Sequence, residues 1–176
     1  MPRGGVVIAD VLAKKLTLKL DVIVPRKIAA PLMEELAIGA ICEDVKFLNE
    51  EIISTLQVSK DYIQKEIEKE KAIAQKRLRL YRKNKPLINI KDQIVILVDD
   101  GIATGATMMA AILALKKKNP KKIIVAVPVG PYHIIDEIKK MADVICPNIL
   151  DEFFAIAQYY VSFDQVTDDK VIEILK

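Results

Sequence analysis

Val95-Ile96-Leu97-Val98 is aliphatic at every position, ends in two adjacent carboxylates, Asp99 and Asp100, and runs through Gly101-Ile102-Ala103-Thr104-Gly105-Ala106-Thr107 into an apolar stretch, Met108 to Leu115. A strand with one wet face alternates apolar and polar residues. An unbroken run therefore predicts a strand buried on both faces, as in a parallel sheet covered by helices. In such sheets ligands bind beyond the carboxyl ends of the strands. The acid pair stands at one of those ends, and a turn of small residues follows it directly.

The turn has the chemistry of an anion cradle. Gly101, Ala103, Gly105 and Ala106 leave the peptide groups uncovered, so successive N–H groups can point into one concavity, to which the helix starting near Thr107 adds the positive end of its dipole. Thr104 and Thr107 supply hydroxyl donors, and either can also cap that helix. A phosphate dianion suits this arrangement. Asp99 and Asp100 cannot grip phosphate, but they can accept hydrogen bonds from vicinal ribose hydroxyls, directly or through a hydrated magnesium ion, and their charge favours a cationic sugar centre. The two halves of the motif together point to a sugar phosphate. A nucleoside-triphosphate loop would need a Gly-Lys-Ser/Thr ending and a dinucleotide loop three spaced glycines, and neither is present.

At 176 residues, 52% hydrophobic and 29% charged, the chain suffices for one α/β domain with a proper core and is short for two. A net charge of +3 makes no demand for nucleic acid or an anionic membrane, and a phosphorylated substrate accounts for it. Cys42 and Cys146 lack CxxC spacing, which argues against a metal or redox motif and fits reduced thiols. Asp10 interrupts the apolar stretch after Arg3, and no run approaches the length of a membrane span. A cytoplasmic protein is expected, with no membrane or nucleic-acid partner.

Val6 to Leu16 has helical apolar spacing, and Asp21 to Val24 reads as a strand stopped by Pro25. Ile28 to Leu36 is expected to form a short helix, followed by a strand pair, Gly39 to Glu43 with Val45 to Leu48. From Ser59 to Lys85 a long charged helix is predicted on the stripe Ile63, Ile67, Ala74, Leu78 and Tyr81, broken by Pro86. Lys122 to Val127 is a further strand, Tyr132 to Met141 a helix and Asp143 to Cys146 a short strand. Strand and helix in alternation predict an α/β fold, a parallel sheet with helices on both faces. The single histidine, His133, has no metal-ligand partners nearby and reads as a loop or helix-start residue.

From hydrophobic strand through acid pair and Gly-Ile-Ala-Thr-Gly-Ala-Thr to helix, the sequence resembles, without a gap, the phosphoribosyl diphosphate (PRPP) signature of type I phosphoribosyltransferases. The resemblance runs from about Pro2 to Pro147 and is specific at Ile94 to Thr107. It implies a Rossmann-like fold and Mg2+-dependent transfer of ribose 5-phosphate from PRPP to a nucleobase, or the reverse, with the metal held mainly by the substrate. Asp99 and Asp100 would be catalytic, stabilising an oxocarbenium-like ribose. Gly101, Ala103, Thr104, Gly105, Ala106 and Thr107 would hold the 5′-phosphate of PRPP or of a nucleoside monophosphate. One domain over 1–176 is expected, with a flexible charged helix or loop over 59–90, a hood-like segment over 147–176, and assembly as a homodimer. A PRPP or nucleotide-sensing regulator on the same fold is the alternative. The intact acid pair, which neither the fold nor phosphate binding alone requires, favours the enzyme.

Further candidates enter through the resemblance. Arg3, Gly4 and Gly5 match a common form of the loop that holds pyrophosphate, although relatives place a strand before that loop and only Met1 and Pro2 stand there. The basic cluster Arg77, Arg79, Arg82, Lys83 and Lys85 falls where such enzymes keep a closing catalytic loop, so Arg79 and Arg82 are pyrophosphate candidates; a solvated helix face explains the same residues. Lys27 is a further candidate of the same kind. Phe153, Phe154, Tyr159, Tyr160 and Phe163 cluster in the expected hood, with Phe153 and Phe154 as base-stacking candidates against the alternative of simple packing.

Overall fold

A computed structural model describes residues 1–83 and 85–176. The chain opens with α1 (Gly4–Leu16), which ends at Thr17 in the left-handed region with φ 55°. Three antiparallel strands follow, β1 (Arg26–Ala30), β2 (Met33–Cys42) and β3 (Val45–Leu48), with β2 in the middle. Then come α2 (Glu50–Thr55), α3 (Lys60–Arg82), β4 (Ile94–Val98), α4 (Ala106–Lys116), β5 (Lys122–Ala126), β6 (Val129–Pro131), α5 (Tyr132–Lys139), β7 (Asp143–Ile145) and β8 (Asn148–Leu150). A 3-10 turn, Ile156–Tyr159, and α6 (Asp168–Ile174) complete the order. β4, β5 and β7 form a parallel sheet in that order, and β6 pairs with β8 in parallel beyond its carboxyl end.

The apolar helix after the acid pair explains how the two larger sheets join. α4 carries apolar residues around its whole circumference, which a helix can do only where it is enclosed. It packs against β2 and β3 on one side and β5 on the other, with Met108, Ala110, Ala111 and Ile112 almost fully buried. α3 lies against the antiparallel sheet: Ser59 caps its start by accepting the Tyr62 N–H, Tyr62 Oη donates to the Ala29 carbonyl, and Arg26 pairs with the buried Glu70 at 2.7 Å. The predicted stripe faces inward, with Ile63, Ile67, Ala74 and Tyr81 buried.

Three expectations are corrected. The helix predicted over Ile28 to Leu36 is instead the hairpin of β1 and β2, turning at Pro31-Leu32 with Leu32 at φ 61°. Period-two burial of Ile28 and Ala30 against α3 decides the matter, since tertiary pairing overrides a short local preference. The strand predicted over Asp21 to Val24 has the alternating burial of a strand, with Val22 and Val24 inside, but no ladder partner among the described residues. β4 is also less covered than a doubly buried strand should be: Leu97 and Val98 are buried while Ile94 is 57% exposed.

Candidate functional site

Parallel pairing carries β4 alongside β5 as far as Val98 and Ala126, so Asp99 and Asp100 leave the sheet at its carboxyl edge. The start of α1 abuts them. A Cβ added to Gly4 would overlap the Asp100 carboxylate, and one added to Gly5 would sit 2.6 Å from Cα and Oδ1 of Asp99. At Gly5 a side chain is excluded because the first turn of α1 meets the Asp99 and Val98 backbone there. Burial pushes the Asp99 carboxyl up to about 7, and neighbouring Asp100 adds to the rise, while the amino group of Met1 opposes it. Burial also raises Asp100. The amino group of Met1 is itself buried there and donates to the Val98 carbonyl.

Immediately after the acids, Ile102 N–H bonds the Val129 carbonyl at 3.0 Å, anchoring the turn to β6. Ala103 and Thr104 stay exposed, and Gly105 starts α4 at φ 76° with no side chain capping the first turn. The first N–H groups of α4 therefore point free of intrahelical partners toward the turn, the arrangement that receives anions. A Cβ on Gly105 would meet Ile134 at 2.6 Å, so this glycine is required for helix packing as well as for its φ.

A cavity of about 190 Å³ joins these parts: Asp99, Asp100 and the whole run Gly101 to Met108 line it, together with Met1, Lys27, Ala37 and Ile156. One end is acidic and the other is a helix N-terminus, so a ligand with hydroxyls at one end and a phosphate at the other matches it. Lys27 on β1 brings a cation to the rim, where Glu35 is its exposed partner at 3.7 Å. The C-terminal segment covers the other side. Ile156 packs on Gly101, and Tyr160 Oη donates to the Asp100 carbonyl at 2.6 Å. Among the described residues there is no group of three or more His, Cys, Asp or Glu side chains that could hold a metal. Two carboxylates without further protein ligands fit a cation that keeps most of its coordination to water and substrate.

The remaining candidates spread out. Arg3 precedes the glycines that touch the acid pair, but its guanidinium lies 3.9 Å from Asp168 of α6, which also accepts from Tyr81 Oη at 2.6 Å. Arg82 pairs with Asp21 at 2.8 Å and donates to the Val22 carbonyl, holding the end of α3 to the chain ahead of β1. Arg79 is exposed on the last turn of α3, and neither Arg79 nor Arg82 lines the cavity. Phe153 stacks on Tyr159 with centroids 5.6 Å apart, Phe154 is 80% exposed, and neither lines the cavity. Tyr160 is one of the five aromatics that sequence marks as a hood cluster, though not one of its base-stacking candidates, and nothing local marks Ile156.

Comparison with known proteins agrees with this geometry. The phosphoribosyl transferase domain family matches residues 1–164. A Mycobacterium tuberculosis protein that carries a provisional phosphoribosyl transferase name, found in two strains, is 38% identical over 177 residues. That match takes in 99% of this chain, which spans 40% of the length of those relatives. The crystal structure of TT1426 from Thermus thermophilus superposes with a TM-score of 0.81 at 36% identity, covering 99% of this chain and 83% of the other.

Proposed function

This chain belongs to the phosphoribosyl transferase domain family, and from that premise we propose that it transfers ribose 5-phosphate between PRPP and a nucleobase in a Mg2+-dependent reaction. One observation carries the reading: the acid pair and the 101–107 turn, adjacent in sequence, line a single cavity at the carboxyl end of β4. The 5′-phosphate sits on the turn and the first N–H groups of α4. Asp99 and Asp100 accept from the ribose hydroxyls and, once ionised, stabilise positive charge at the anomeric carbon as pyrophosphate leaves and a base nitrogen takes its place. Lys27 at the rim neutralises departing charge. Asp99 and Asp100 would help to hold Mg2+, which would supply further neutralisation of the pyrophosphate. Ile156 and Tyr160 close the side on which the base enters and limit access of water to the reactive sugar.

The test is to incubate the pure 176-residue chain with PRPP, Mg2+ and each common nucleobase in turn while pyrophosphate release is measured. Release with one base or a small group supports transfer. Binding of PRPP without release for any base favours the sensing role.

A further inference from the structure

Glu70 is the single charged residue that the fold buries among the described residues, at 7% exposure. It sits in the middle of α3 on the face turned to the antiparallel sheet, and its Oε2 accepts from Nε of Arg26, the first residue of β1, at 2.7 Å. Burying an ion pair is a poor way to stabilise a fold, because desolvation of the two charges offsets most of their attraction. An apolar pair of similar volume would hold α3 to the sheet as well. What a hydrogen-bonded pair adds is geometric, since it admits one arrangement of the two elements where apolar contact tolerates several.

The arrangement matters because of the next residue. Side chains alternate across a strand, and Arg26, Ile28 and Ala30 all face α3, the first through Glu70 and the other two by burial in the cluster that holds Ile63 and Ile67. Lys27 therefore projects through the opposite face, where it lines the cavity with Ala37 and the acid pair. It stands one residue from the end of β1, paired to Ala40 of β2, and the ends of elements open first. Its ammonium has a loose partner, Glu35 at 3.7 Å, whose carboxylate is fully exposed. The aim of Lys27 thus depends on its backbone, which is anchored through Ile28 on one side and through Arg26 on the other.

We infer that Glu70 is a positioning residue for the pyrophosphate end of the substrate: through Arg26 it holds the start of β1 in the register that aims Lys27 into the cavity. This role rests on the one proposed above for Lys27, and Glu70 itself lies outside the cavity lining. Slipped by one residue, the start of β1 would bring Lys27 against Glu70 and turn Arg26 to the cavity. Burial of Ile28 opposes that slip in the body of the strand. At its first residue the guanidinium decides, because its planar fork fixes a direction that the ammonium of lysine, a point charge on a flexible stem, does not.

The experiment is a double-mutant cycle on the full chain, read by calorimetric binding instead of turnover. Parent, Glu70→Gln, Lys27→Gln and the double variant are titrated with pyrophosphate plus Mg2+, and separately with ribose 5-phosphate, whose phosphate belongs to the 101–107 turn. Glu70→Gln is expected to weaken pyrophosphate binding by roughly five- to tenfold, as loss of a charge-assisted contact does, and ribose 5-phosphate binding by less than about twofold. On the Lys27→Gln background the same change should cost pyrophosphate less than about twofold, because its effect passes through the lysine. A merely structural role would weaken both ligands in step and act equally on both backgrounds, and that result overturns the proposal. Pyrophosphate binding by Glu70→Gln equal to the parent's overturns it too. Failure of the parent to bind pyrophosphate, or of Lys27→Gln to weaken it, removes the Lys27 reading and this role with it, whereas a loss in Lys27→Gln that Glu70→Gln does not share removes the positioning role alone. If Glu70→Gln melts too low to titrate, Arg26→Met breaks the same bond from the other side while its stem keeps the packing, and the same pattern is expected of it.

Discussion

Tyr160 donates its hydroxyl proton to the main-chain carbonyl of Asp100 across 2.6 Å, tying the C-terminal segment to the chain just beyond the carboxyl end of β4. The bond joins residues 60 positions apart and is the only side-chain bond given to that carbonyl among the described residues. It fixes the covering segment beside the acid pair.

Tyr160→Phe keeps the ring and its packing on Phe163 but removes this bond. A cost of about 1 kcal/mol is expected, the usual net value of one such bond, together with faster amide exchange over residues 156–160. On the proposed reaction, in which Ile156 and Tyr160 close the side on which the base enters, KM for the base should rise more than KM for PRPP. Steady-state kinetics of the variant with both substrates check this.

Gly5→Ala places a methyl group against the Asp99 backbone at 2.6 Å, a contact with no flexible side chain to yield. Overpacking of this kind costs about 1–3 kcal/mol. The melting temperature should fall by several degrees, and transfer should fall further than stability explains because the acid pair is displaced. A melting curve and a turnover assay on the same preparation separate the two effects.

Asp99 gives a pH dependence with a defined sign. Its carboxyl is raised by burial to about 7 in the fold from 3.8, so between those values the folded state holds a proton that the unfolded chain releases. Ligand-free stability should therefore be greatest below about pH 4 as far as this group is concerned and decline as pH rises toward 7. Transfer should move the opposite way, rising through pH 7 as Asp99 ionises. Asp99→Asn should flatten the stability decline over pH 4–7 in thermal melts.

The basic end of α3 separates a structural arginine from a surface one. Arg82→Ala breaks a half-buried pair with Asp21 and frees the Val22 carbonyl, at an expected cost of about 2 kcal/mol, or roughly 4–8 °C in melting temperature. Arg79→Ala should change stability by less than about 0.5 kcal/mol. Lys27→Gln should leave the melt unchanged and raise KM for PRPP roughly tenfold, the loss of one charge-assisted contact. Thermal melts and PRPP titrations of the three variants assign each cation.

Much of the site was legible because its signal is local. Thirteen consecutive residues from Val95 encode strand, acid pair, turn and helix start, and the cavity they line follows from that order. Gly4 and Gly5 were legible as an open backbone, though not as neighbours of Asp99 and Asp100, because that contact spans nearly a hundred residues. Ile28 to Leu36 was misread since its apolar spacing suits a helix as well as a hairpin, and only pairing with β2 and burial under α3 decide between them. Arg82 was weighed by charge, whereas its partner Asp21 lies 61 positions away. Ile156 has no mark in sequence at all; it reaches the cavity because the turn after β8 folds back over Gly101.

If Asp99 and Asp100 act on the ribose of a phosphate-anchored substrate, the double variant Asp99→Asn, Asp100→Asn should lose transfer while keeping the fold. Asparagine keeps the shape of both side chains and removes their charge. The measurement is PRPP-dependent pyrophosphate release with Mg2+ and the accepted base, at equal concentrations of folded parent and variant. Loss of two transition-state contacts, each worth about 2.7–4 kcal/mol, predicts a fall of at least a hundredfold with a cooperative melt retained. Turnover by the folded double variant within a few-fold of the parent would contradict the account.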